Sequence, residues 1–165
     1  MATLDDWRIA YAKQGQADLL AREQLLENPT LPQCQHLHFL QMACEKICKA
    51  YLCGQGSDPD DLRRSHGYIS GPLPTIARQM FARTPNADRS WVLRAIRDLA
   101  RRIELLAPTV DQAGTHPANC EYPWKLSDSS VAVPAEHNFR INLAREPAGR
   151  HLLKVLQVAA EELIR

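Results

Sequence analysis

Between residues 92 and 106, Val92, Ile96, Leu99, Ile103 and Leu106 recur at spacings of four, three, four and three. That rhythm puts all five on one stripe of an α-helix and does not fit a strand, whose faces alternate every two residues. A helix with one apolar stripe draws its stability from whatever covers that stripe. The chain supplies matching partners. Leu40, Cys44, Ile47 and Tyr51 step by four, three and four, and so do Leu152, Leu156, Ala159 and Leu163. Trp7, Tyr11, Leu19 and Leu26 line a further face, with Gly15 at the missing step. Ile76, Met80 and Phe81 mark a shorter segment. The expectation is an all-α, up-and-down bundle of about five helices.

Punctuation sets the bounds. The first helix is expected over about 4–27, opening near Thr3 or Asp5 and closed by Asn28-Pro-Thr-Leu-Pro32. The second starts near Pro32 and stops at Gly54, with a polar loop over 55–61. The third spans about 72–83, and Thr84-Pro-Asn-Ala-Asp breaks it. The fourth covers about 88–106 and the last about 147–164. Before the last helix lies a long proline-rich loop, 108–143, with Pro108, Pro117, Pro123 and Pro134. Tyr122, Trp124 and Phe139 give it aromatics that a solvated linker would not need. It reads as an ordered insertion, with a small hairpin where 124–126 and 131–133 flank Ser127-Asp-Ser-Ser130.

At 165 residues the chain is one domain, 1–165, able to bury a core without metals or disulfides. A net charge of +1 gives no global attraction to nucleic acid or to an anionic membrane, so any such affinity must be local. No apolar run reaches membrane-spanning length. Met-Ala-Thr-Leu-Asp-Asp-Trp lacks the basic-then-apolar layout of a signal peptide. A cytoplasmic protein with five reduced cysteines is therefore expected.

Glu45 and Lys49, four apart and away from the stripe of their helix, are placed to pair. With Gln41, Ala43, Lys46 and Ala50 they form the pattern Gln-x-Ala-x-Glu-Lys-x-x-Lys-Ala, followed after a loop by Arg64-Ser65-His66. This arrangement resembles the HEPN superfamily of small helical domains. The resemblance covers roughly 4–107 and 145–165. It implies a helical bundle that commonly pairs as a homodimer, and a bacterial setting in toxin–antitoxin or phage defence. It also implies a function among RNA- or nucleotide-binding modules, metal-independent endoribonucleases and silent partner subunits. Ribonucleases of that superfamily carry Arg, four to six residues, then His, which hold and polarise the phosphate while the 2′-hydroxyl attacks.

Arg145-Glu-Pro-Ala-Gly-Arg-His151 has that spacing, making Arg145 and His151 the candidate catalytic pair. A plain helix start with a Glu146–Arg150 pair accounts for the same residues. Arg63, Arg64 and His66 form a second candidate, for phosphate, although a hydrogen-bonded structural His66 is the simpler account. From Arg78 to Arg102 there are seven arginines and two aspartates, and Arg94, Arg97 and Arg101 make a ridge away from the apolar stripe. The ridge suits a phosphate backbone, or is a solvated face partly neutralised by Asp98.

Cys34, His36, His38, Cys44, Cys48 and Cys53 lack the paired spacing of a zinc site, so no metal is expected, and no cofactor motif is present. The favoured reading is a binding and interaction module, with RNA, a nucleotide or a cognate protein as partner. The rivals are an endoribonuclease and a structural subunit docked on a larger protein.

Overall fold

The computed structural model describes residues 2–83, 89–108 and 117–165. It is an all-α bundle: α1 (Leu4–Leu26), α2 (Gln33–Gly54), α3 (Pro59–Leu62), α4 (Pro72–Ala82), α5 (Ser90–Glu104) and α6 (Gly149–Ile164). One small antiparallel hairpin, β1 (Trp124–Lys125) and β2 (Val131–Ala132), pairs Trp124 with Ala132. The Thr84–Asp88 break and residues 109–116 of the expected insertion lie outside the described residues. No helix among the described residues is long and apolar enough to cross a membrane.

Local chemistry sets the ends of the helices. Thr3 caps α1 reciprocally: its hydroxyl accepts from the Asp6 N–H at 3.1 Å, and the Asp6 carboxylate accepts from the Thr3 N–H at 2.8 Å. α2 ends in a Schellman turn, with the Ser57 N–H donating to Leu52 O and the Gly56 N–H to Cys53 O, both at 3.0 Å. Gly56 takes the left-handed conformation, at φ 92°. The expected polar loop after α2 contains the four-residue α3, which Asp58 caps and Pro59 opens.

α2 is the hub, packing against α1, α4, α5 and α6. Its closest neighbour is α1. A Cβ on Gly15 would lie 2.8 Å from Ile47 Cγ1, so the glycine lets the two helices approach. The α5 stripe is fully enclosed: Val92, Ile96, Leu99 and Ile103 are at most 1% exposed. Cys44 and Cys48 sit in the same core, and burial pushes the Cys44 thiol up to about 12. Leu26 departs from expectation. It is exposed at the last residue of α1, although it lies on the same face as the buried Leu19.

The described parts of the insertion pack onto the bundle. Trp124, Phe139, Ile141 and Leu143 are buried, and the His137 ring stands edge-on to both aromatics at 5.0 and 4.6 Å. Tyr122 is exposed, so it does not contribute to this packing as expected. The Gln33 amide grips the returning chain, accepting from Phe139 N–H at 2.9 Å and donating to Phe139 O and Ile141 O at 3.0 Å.

Candidate functional site

The polar residues of α2 face inward. Gln41, Glu45 and Lys49 are all buried, one turn apart along the hub helix. Glu45 accepts from Lys49 Nζ at 2.5 Å and from Gln41 Nε2 at 2.9 Å, and meets His66 Nδ1 at 2.9 Å. The Lys49 ammonium lies 5.6 Å from the centre of the Tyr68 ring. Burial pushes the Glu45 carboxyl up, but hydrogen bonds from Lys49, His66 and Gln41 outweigh it and hold the group below its ordinary value. Every buried charge in the cluster is answered, as such groups require.

Of the groups bound to Glu45, His66 is the one that reaches solvent, with its side chain 41% exposed. Nδ1 is committed to Glu45, which leaves Nε2 for solvent or a ligand. The segment after it is fixed by Glu104, whose carboxylate accepts from the Ile69 and Ser70 N–H groups at 2.7 and 3.0 Å. Arg63 and Arg64 are exposed beside it but are not free charges. Arg63 pairs with Asp60 and stacks 5.3 Å from the Trp7 ring, and Arg64 pairs with Asp61 at 3.5 Å.

The second candidate lies at the start of α6. Arg145 is exposed in the preceding turn, and His151 is exposed in the first turn of the helix. Among the described residues no hydrogen bond or ion pair joins them. Instead, each end of this stretch touches α5. Glu146 binds Arg102 at 2.8 Å rather than Arg150, and the His151 ring lies 5.9 Å from Trp91.

The arginine ridge is on that same helix. Arg94, Arg97 and Arg101 are exposed on the side of α5 opposite its buried stripe. No ion pair reaches them among the described residues. Arg102 takes the carboxylates nearby, Glu146 and, at 3.4 Å, Asp98. Trp91, 46% exposed, lies one turn before Arg94. Thus α5 brings the ridge and the Arg145–His151 stretch to neighbouring positions, although fifty residues separate them in sequence. The His66 cluster is a separate site on α2.

The sequence reading missed the roles of Gln41, Tyr68 and Glu104. Glu104 carried one signal: a carboxylate in the last turn opposes the helix dipole and is favoured only when it has donors elsewhere. Among the described residues, no three of His, Cys, Asp and Glu come together as metal ligands would. Comparison with models of protein families, with curated proteins and with solved structures gives no match to this chain.

Proposed function

We propose that the protein is a HEPN-like binding module, cytoplasmic and homodimeric, that contacts the phosphates of an RNA or nucleotide through Arg94, Arg97 and Arg101. One observation carries the reading: among the described residues, three exposed arginines on one helix face lack carboxylate partners, while Arg102 beside them has two. Unneutralised guanidinium groups on a solvent face are the local feature that a chain of net charge +1 needs to attract a polyanion. Trp91, with His151 against it, adds an exposed aromatic surface on which a base can stack. By the same resemblance, the setting is bacterial toxin–antitoxin or phage defence, with a cognate protein as a further partner.

The endoribonuclease reading draws support from a single observation, the exposure of His151 next to the helix that carries the ridge. In that reading His151 and Arg145 hold the scissile phosphate and the 2′-hydroxyl attacks it without a metal.

Fluorescence anisotropy with a labelled single-stranded RNA, repeated across salt concentrations, tests the module. The wild type is expected to bind with an affinity that falls steeply with salt. Replacing Arg94, Arg97 and Arg101 together by Gln should flatten the log–log salt slope by about 2, at about 0.7 per phosphate contact. An unchanged slope would remove the ridge from the interface. The same RNA incubated in chelator distinguishes the readings. Cleavage to a 2′,3′-cyclic phosphate, lost in both Arg145→Ala and His151→Ala, would establish the enzyme. No cleavage above the background of a variant carrying both Arg145→Ala and His151→Ala is expected.

A further inference from the structure

Arg22 lies on the inner face of α1, 7% exposed, and its Nε has no hydrogen-bond partner. Among the described residues, no ion pair or hydrogen bond reaches the rest of its guanidinium. Beside it, His36 Nδ1 on α2 is also buried and unpartnered. Both residues line a cavity of about 150 Å³ closed by Gln33, Leu37 and the returning segment Ile141–Ala144. Two other polar groups at its wall are engaged: the Gln33 amide holds Phe139 and Ile141, and Asn142 Oδ1 accepts from the Ala144 N–H at 3.1 Å. No carboxylate lines this cavity.

A buried cation without a counter-ion is costly, and native proteins answer such charges with a partner or a bound ion. A buried donor left unsatisfied adds a further penalty. Here two unsatisfied nitrogens, one of them on a permanent cation, border one small space. At about 30 Å³ per water, that space equals about five waters. It accepts a phosphate group but not a nucleoside. The guanidinium fork matches the oxygens of a phosphate, which supplies more acceptors than a carboxylate for the several donors present.

We propose that Arg22 and His36 form a binding site for a small phosphate group, separate from the ridge on α5. The group is either inorganic phosphate or the terminal phosphate of a small molecule whose remainder stays outside.

The test uses inorganic phosphate, the monoester glycerol phosphate, acetate and chloride, all at one ionic strength. The readouts are melting temperature and the NMR signal of Arg22 Nε–H. Phosphate also stabilises proteins by general exclusion from their surfaces, so the comparison with variants decides. A saturable shift of the Arg22 signal is expected with phosphate. It should be accompanied by a rise in melting temperature of about 3–6 °C at ten times Kd. Both should vanish in Arg22→Met and persist when Arg94, Arg97 and Arg101 are replaced by Gln. Arg22→Met is a conservative choice for folding, since it keeps the stem and removes an unpaired buried charge. His36→Phe, which removes only the second unpartnered nitrogen, one that donates to phosphate in the Nδ1–H tautomer, should weaken phosphate at least tenfold and serves if Arg22→Met does not fold. A monoester response equal to that of inorganic phosphate identifies the terminal group of a larger molecule as an admissible source. A weaker one restricts the site to the free ion. A response shared with chloride, one confined to acetate, or one that survives both substitutions would overturn the proposal.

Discussion

Glu45→Ala is expected to destabilise the protein by about 3–5 kcal/mol, because it leaves the Lys49 ammonium buried without its counter-charge. Lys49 is 4% exposed, and among the described residues only the face of Tyr68 is left to meet it. Gln41 Nε2 and His66 Nδ1 lose the same acceptor. Chemical denaturation measures the loss, and a change below about 1 kcal/mol would show that the cluster is hydrated rather than closed. The double change Glu45→Leu with Lys49→Met should recover much of it, since an apolar pair of similar volume removes both desolvation costs.

Acid should reproduce part of the effect. Glu45 is held below its ordinary value of 4.5 in the folded protein. A depressed folded value means that Glu45 contributes stability fully above about pH 4.5, lost as pH falls through the lower folded value. The stability gap between wild type and Glu45→Gln should therefore be constant near neutrality and close in acid. A gap that widened in acid would contradict the sign of the shift.

This cluster also marks the limit of what periodicity conveys. The stripes of α5 and α6 were legible because each has one covered side and one wet side, and a period near 3.6 records that division. The Glu45–Lys49 pairing was legible as well, since four residues bring two side chains together whatever surrounds them. Its burial was not. Amphipathic reasoning gives polar residues to water, whereas α2 has neighbours around most of its circumference, and its polar residues had to find partners inside. Two of those partners, His66 and Tyr68, come from a segment whose position depends on Glu104, a contact across 35 residues that no local pattern records. The short α3 was read as a polar loop: Asp58 followed by Pro59 and two acids carries a helix-start signal, but a composition typical of loops masked it. The Arg145–His151 spacing could be read, but its neighbour could not, because α5 meets that stretch only through Arg102 and Trp91.

That neighbourhood depends on a single glycine. Gly149→Ala is expected to cost about 3 kcal/mol, although alanine favours a helix over glycine by about 1 kcal/mol. A Cβ at this position would fall onto the Leu143 carbonyl, 2.7 Å from its carbon and 2.9 Å from its Cα. The obstacle is backbone, and Leu143 is itself buried, so neither side yields without moving α6 off the insertion. Gly15→Ala makes the informative comparison. Its Cβ would also come too close, at 2.8 Å to Ile47 Cγ1 and 3.3 Å to the Ala43 carbonyl, but the nearest atom is side chain rather than backbone, although it belongs to a buried, β-branched residue with little room to turn. The loss there should be smaller than at Gly149, about 1–2 kcal/mol, with part of the overpacking offset by the helix preference of alanine. Displacement at Gly149 would also carry Glu146 away from Arg102 and His151 away from Trp91. NMR spectra of Gly149→Ala should therefore show shifts concentrated on Trp91, Arg102 and residues 143–151, together with the loss of stability. Unchanged stability with unchanged Trp91 signals would mean that α6 does not approach Leu143 this closely. The Arg145–His151 stretch would then lose its fixed place beside the ridge.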